Sequence, residues 1–196
     1  MITRRLPALT PEQAPGRAGE LLTDLVERHG SVGEMVSTMA HSPALLDGYL
    51  GLSRAMKRVR IPRALSEKLS LAVQEWIGCG TCREAHREAG RAAGLTATDI
   101  ELARQGTSTD PGGGGPPRPP PGGAPPPPPP PGPPPPPAPP LRVLAEPGSL
   151  SDEDVAEVRA HGWSDRVIAE VVGVVTLNLL TGAFNLLAGI QPEHEE

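Results

Sequence analysis

Aromatic side chains are nearly absent from this chain of 196 residues: they make up 2% of it, as two Trp, one Tyr and one Phe. A core therefore has to be built from Leu, Val, Ile and Ala, a composition that suits packed helices. No run alternates apolar and polar residues with the strand period, so nothing reads as a strand. The net charge is −5 with no long basic run, which leaves nucleic-acid binding without an electrostatic footprint. Cysteine is confined to Cys79 and Cys82, and the basic start Met1–Arg5 is followed by Pro7, Pro11 and Pro15 rather than an apolar run. That start is not a secretory signal. One Cys-x-x-Cys without an export signal predicts a reducing, cytoplasmic compartment and a redox or metal role, not a structural staple.

Helical periodicity covers most of the rest. Residues 1–16 read as an extended arm. Leu21, Leu22, Leu25 and Val26 mark one face of a first helix stopped by Gly30. Ser31, with Glu34 three residues on, predicts the capped start of a second, with Val32, Met35, Val36 and Met39 inward. Pro43 opens a third, and Ile61-Pro62 precedes a fourth carrying Leu65, Leu69, Val73, Trp76 and Ile77 inward to Gly78. The Cys-x-x-Cys helix follows, stopped by Gly94. Thr96 caps a short helix, Ser151 another, and Ser164 the last. Val171 to Ile190 carries no charge and is long enough to span a bilayer. Its stripe of Asn178, Thr181, Gly182 and Asn185, and the lack of Lys or Arg in 191–196, favour instead a buried or subunit-interface helix.

Between 107 and 148 the chain is almost entirely Pro, Gly and Ala, and all but six of its 27 prolines lie there. Proline lacks the N–H that helices and ladders need, so this stretch is expected to be a disordered linker containing a polyproline II rod.

The chemistry concentrates around the cysteines. If Cys82 occupies the first turn of its helix, the partly positive N-terminus favours its thiolate. His86 then lies one turn along the same face, about 5–6 Å away between Cβ atoms, as a base for an activated nucleophile must. Three readings follow. Cys82 is a peroxide-attacking thiolate resolved by Cys79; or the three residues are metal ligands, lacking a fourth unless His41, His29 or a carboxylate supplies it; or the cysteines are small core hydrophobes.

Glu67, twelve positions before Cys79, extends the pattern. The order Glu67, Cys79-x-x-Cys82, His86 resembles the AhpD-like alkylhydroperoxidase branch of the carboxymuconolactone decarboxylase family. His41-Ser42-Pro43-Ala44-Leu45-Leu46, Ile61-Pro62-Arg63, Ser151-Asp152-Glu153-Asp154-Val155 and Gly162-Trp163-Ser164-Asp165 look similar to the same family. So does the last apolar helix with its asparagines. The resemblance covers about 1–106 and 149–192, which it reads as the two parts (1–106 and 149–196) of one AhpD-like all-α helical bundle.

The resemblance implies reduction of organic hydroperoxides, with Cys82 peroxidatic, Cys79 resolving, and Glu67 and His86 as the proton relay. It implies a lipoyl or thioredoxin-like thiol reductant, no metal or flavin cofactor, no membrane, and a trimer or hexamer with its site near a subunit contact. Two departures stand out. Thr81 occupies a position where some members place a histidine, which shortens the relay, and the proline tract stands where relatives usually carry another helix, which is expected to weaken activity. The tract reads either as a genuine insertion for a proline-reading partner or as a frameshifted reading of a GC-rich gene. Other readings of the whole are a non-catalytic oligomeric scaffold with a Pro-rich docking segment, and a decarboxylase or lactone-acting enzyme.

Overall fold

Caps and breakers set the helix boundaries. In the computed structural model, residues 4–106 and 147–190 are described, and among them the regular structure is helical, with no strand. The order is α1 (Arg17–His29), α2 (Glu34–Met39), α3 (Pro43–Met56), α4 (Arg63–Ile77), α5 (Gly80–Ala92), α6 (Ala97–Arg104), α7 (Asp152–Ala160) and α8 (Asp165–Ala188). Ser42 caps α3 by accepting the Leu45 N–H, and Ser164 caps α8 through Val167. Thr96 and Ser151 form full capping boxes with Asp99 and Asp154. The expected linker lies, as far as residue 146, outside the described residues; Pro147–Ser149 form a single 3-10 turn.

Helix α4 is the centre of the packing, with α5, α6 and α8 against it. Its stretch Leu69–Gln74 is buried at every position. Leu71 meets Ile100 and Ala103 of α6, while Leu69 meets Ile61 and Val174 of α8. Each fully buried leucine or valine of this kind is worth about 1.5–3 kcal/mol. A third cluster joins Ala18 and Leu22 of α1, Met39, Leu46 of α3, and Phe184 and Ala188 of α8.

The arm before α1 is docked rather than loose. The backbone N–H groups of Arg5 and Leu6 donate to Ala188 O at 2.8 and 3.2 Å. The Arg5 guanidinium donates to Leu186 O at 2.7 Å. The Ala188 carbonyl is one that the end of α8 would otherwise leave bare.

Two expected details differ. Helix α2 starts at Glu34 with Gly33 as its N-cap and no side-chain cap. Ser31 is not the cap, because Glu34, the other half of the expected box, is ion-paired with Arg4. Trp76, expected inward, is 56% exposed. Its neighbours on α4 already fill the space beneath α5, α6 and α8, and the indole is left outside.

Helix α8 has a mean hydropathy of 1.9 over an 18-residue window, enough by length and composition to cross a membrane. Here its polar stripe is turned inward: Asn178, Gly182 and Asn185 are buried. Gly182 is required where α8 crosses α4, since a Cβ there would sit 2.4 Å from Gln74 Oε1 and 3.1 Å from Ile77 Cδ1. Val172, Leu179, Leu186 and Leu187 lie on the outer side and are exposed.

Candidate functional site

The site is built at the turn between α4 and α5. Gly78, with φ of 82°, takes the left-handed conformation that ends α4. The N–H groups of Gly78 and Cys79 both donate to Gln74 O, at 3.0 and 3.1 Å. Cys79 is then delivered to the N-cap of α5, and Cys82 falls in its first turn, as expected.

The two cysteines form a disulfide with Cα atoms 5.4 Å apart. Each sulfur has its own donor. Cys79 Sγ accepts the Cys82 backbone N–H at 3.4 Å, and Cys82 Sγ accepts the Asn185 side-chain amide at 3.2 Å. Both residues are buried, Cys79 at 1% and Cys82 at 7% exposure.

The short turn makes α4 and α5 antiparallel neighbours, and this brings Glu67 to His86. His86 Nδ1 and Glu67 Oε2 are 2.8 Å apart, on half-buried side chains. An ionised carboxylate only accepts, so Nδ1 carries the proton and Nε2 of a neutral ring keeps its lone pair. His86 lies one helical turn beyond Cys82 on α5. The side-chain donor to the Cys82 sulfur, however, is Asn185 rather than His86.

Thr81, at the position where some relatives have a histidine, lends its hydroxyl to Ile190 O at 3.3 Å. It ties down the chain beyond α8. The alternative metal ligands are not gathered: His41 Nε2 is 2.9 Å from Pro7 O, and no group of three or more His, Cys, Asp or Glu among the described residues is arranged to hold an ion.

Beside the cysteines, Glu75 joins three helices. Arg83 Nη1 reaches its Oε1 at 2.9 Å and Arg104 Nε its Oε2 at 2.8 Å. Arg104 first, and Arg83 after it, hold the Glu75 carboxyl below its ordinary pKa despite some desolvation.

Behind the site a buried polar ladder joins α4 to α8. Gln74 Nε2 donates to Asn178 O and Oδ1 at 2.9 and 3.0 Å. Asn178 Nδ2 donates to Ser70 Oγ and Val174 O, both at 3.0 Å, and Ser70 donates to Ser66 O at 2.9 Å. Asn185 also borders an open cavity of about 300 Å³, lined by Glu34, Met35, Val36, Thr81 and Ile190 among others. Trp76 and Ile77, the last inward-reading residues before the motif, do not line it.

Sequence reasoning missed Asn185 as a partner of Cys82, and missed Ser70 and Gln74 altogether. The signal was present as polar residues at helical spacing on two apolar helices: Ser70 and Gln74 on α4, Asn178 and Asn185 on α8.

No protein-family model matches the sequence, and no curated protein matches it. Solved structures do. An alkylhydroperoxidase AhpD core, a peroxidase-related protein from Ralstonia eutropha JMP134, has a TM-score of 0.69 at 15% identity, covering 100% of this chain and 94% of that one. A peroxidase-related protein from Silicibacter sp. TM1040 gives 0.65 at 14% identity, over 100% and 96%. The debrominase Bmp8 gives 0.64 at 15% identity, over 99% and 95%. This chain has the AhpD-like all-α fold, and that fold with its Cys79-x-x-Cys82 pair fits an AhpD-like family.

Proposed function

We propose that this protein is a thiol-dependent peroxidase that reduces organic hydroperoxides through a dithiol/disulfide cycle at Cys79 and Cys82. One observation carries the reading: a Cys-x-x-Cys disulfide at the start of α5, with a histidine one turn on whose Nδ1 is held by Glu67 at 2.8 Å. A half-buried Nδ1–H···carboxylate pair leaves Nε2 basic and aimed by its partner, the requirement for a proton relay.

In the cycle, His86 takes the Cys82 thiol proton. The thiolate attacks the hydroxyl-bearing oxygen of the hydroperoxide, the S–O bond forms, the O–O bond breaks, and the alkoxide leaves with the proton held by His86. Cys79 thiol then condenses with the Cys82 sulfenic acid, releasing water and forming the disulfide. A dithiol of lipoyl or thioredoxin-like type returns the pair to the reduced state.

Cys82 is assigned the attack because it is the more exposed residue of the two and is on the helix turn that leads to His86. Cys79 resolves. The protein works in the cytoplasm as a homo-oligomer, a trimer or hexamer, and the exposed stripe Val172, Leu179, Leu186 and Leu187 of α8 supports association through that helix.

The test is peroxide-dependent thiol loss on the reduced protein. Two thiols per chain should disappear rapidly with cumene hydroperoxide. Cys82→Ser should abolish the reaction, while Cys79→Ser should leave a sulfenic acid that dimedone traps. Equal residual activity in both variants counts against the roles. Slow thiol loss in the wild type favours a scaffold, and turnover that survives loss of both cysteines favours a decarboxylase-like or lactone-acting enzyme.

A further inference from the structure

Asn185 is 4% exposed, on α8, and its two amide ends meet different surroundings. A disulfide sulfur or a thiolate has no proton to give, so only the NH2 end can face Cys82, and Nδ2 does so at 3.2 Å. The opposite end, Oδ1, is buried with no hydrogen-bond partner. The same side chain lines the 300 Å³ cavity, where Met35, Val36 and Ile190 supply apolar wall. A buried amide oxygen left bare is costly, and the group that would satisfy it is an O–H or N–H donor arriving with a ligand.

We propose that Asn185 is a substrate-binding residue and that this cavity takes the hydroperoxide, its alkyl group against Met35, Val36 and Ile190 and its O–H donated to Asn185 Oδ1. This deepens the peroxidase reading and rests on it. The amide then spans both reactants. Nδ2 stabilises the Cys82 thiolate while Oδ1 holds the hydroxyl oxygen beside the sulfur, so that the O–O bond lies away from the attacking atom. The transferred oxygen keeps its hydrogen, as the sulfenic acid requires, and the alkoxide takes up the thiol proton that His86 holds. The chemical class follows from the largely apolar walls, which Glu34 and Thr81 complete: an uncharged alkyl or aryl hydroperoxide of modest size.

The experiment compares two reactions of the same sulfur in the full-length, pre-reduced protein. Oxidation by cumene hydroperoxide needs the O–H acceptor; alkylation by iodoacetamide needs only the thiolate. Both are followed at a pH high enough that the thiol is fully ionised. In Asn185→Ala the peroxide-to-alkylation rate ratio should fall about tenfold or more, the loss of one hydrogen bond to a reacting group. Asn185→Asp, nearly isosteric, keeps an oxygen acceptor and sets a negative charge beside the thiolate. The ratio of its two rates should stay within about twofold of wild type, whatever the charge does to each rate alone, taking the same hydrogen-bond scale.

An unchanged ratio in the alanine variant overturns the assignment, as does a collapsed ratio in the aspartate variant. If the alanine variant does not fold, the aspartate variant decides alone. A wild type that is alkylated readily but not oxidised by the hydroperoxide overturns the peroxidase reading itself. That result is distinct from one in which the wild type is oxidised and Asn185 proves irrelevant.

Discussion

Replacing Glu67 by Gln isolates the charge of the residue that holds His86. The amide can still accept the Nδ1–H through its oxygen, so the 2.8 Å contact survives in shape while its ionic character is lost. Hydrogen bonds to charged groups are worth about 1.5–3 kcal/mol and neutral ones about 0.5–1.5. The difference is therefore on the order of 1 kcal/mol, and solvent screening of these half-buried side chains trims it. At 1.36 kcal/mol per decade, the peroxide reaction should slow about three- to tenfold. Glu67→Ala removes the bond as well and lets the ring turn, so a loss of about ten- to a hundredfold is expected.

The assay is single-turnover thiol loss of the pre-reduced protein with excess cumene hydroperoxide, with thermal melts to show that each variant folds. The decisive arm is a double-variant cycle. Because Glu67 acts only through His86, Glu67→Ala combined with His86→Ala should react no more slowly than His86→Ala alone. If the two losses multiply, the carboxylate has a separate role and the relay is wrong. If His86→Ala is as fast as wild type, the imidazole is not the base.

Three other outcomes follow from the packing. Gly182→Ala forces a methyl group towards Gln74 Oε1, whose amide cannot retreat without breaking its bonds to Asn178; a loss of about 1–3 kcal/mol is expected in a denaturant titration. A melt equal to wild type would show that the crossing of α4 and α8 is looser than drawn. Glu75→Gln tests the Arg83–Glu75–Arg104 bridge. A carboxyl whose folded pKa is depressed contributes stability above its unfolded pKa and loses it as pH falls through the folded value. The variant should therefore melt below wild type at neutral pH, by no more than about 1 kcal/mol for so exposed a bridge, and the gap should close well below pH 4. Leu179→Glu sets a charge in the exposed α8 stripe and should lower the assembly state in sedimentation, whereas an unchanged oligomer would place subunit contact elsewhere.

What could be read from the sequence depended on how far apart the interacting residues were. The caps at Thr96, Ser151 and Ser164 each need one side chain to reach a backbone N–H three residues on, and all three formed. Glu67 and His86 were paired through the family resemblance, and the structure supplies the physical reason: a turn as short as Gly78-Cys79 leaves α4 and α5 antiparallel and adjacent. The Ser31 cap failed because its partner Glu34 was claimed by Arg4, from a strand of chain that no local pattern ties to α2. The Asn185 bond to Cys82 spans 103 positions, with the proline tract between, and no spacing rule crosses that distance.

Helix α8 makes the same point in energetic terms. Its asparagines read as a reason to doubt a membrane span, but by themselves they did not say which way they faced. An amphipathic helix normally turns its apolar stripe inward. Here the inward stripe contains the amides, because Ser70, Gln74 and the Cys82 sulfur on the other side supply partners for them. Burying those groups unpaired would cost about 1–3 kcal/mol each; paired, they fix the register of α8 on α4 to within a single hydrogen-bond length. A slide of one turn would take Asn185 from the sulfur and Asn178 from Gln74 together. The polar ladder is thus what sets the position of the amide at Cys82, and Asn178→Ala, far from any reacting atom, should both destabilise the protein by about 2–4 kcal/mol from lost bonds and cavity and slow the peroxide reaction. Loss of stability with an unchanged rate would show that Asn185 is held by its own turn of helix and not by the ladder.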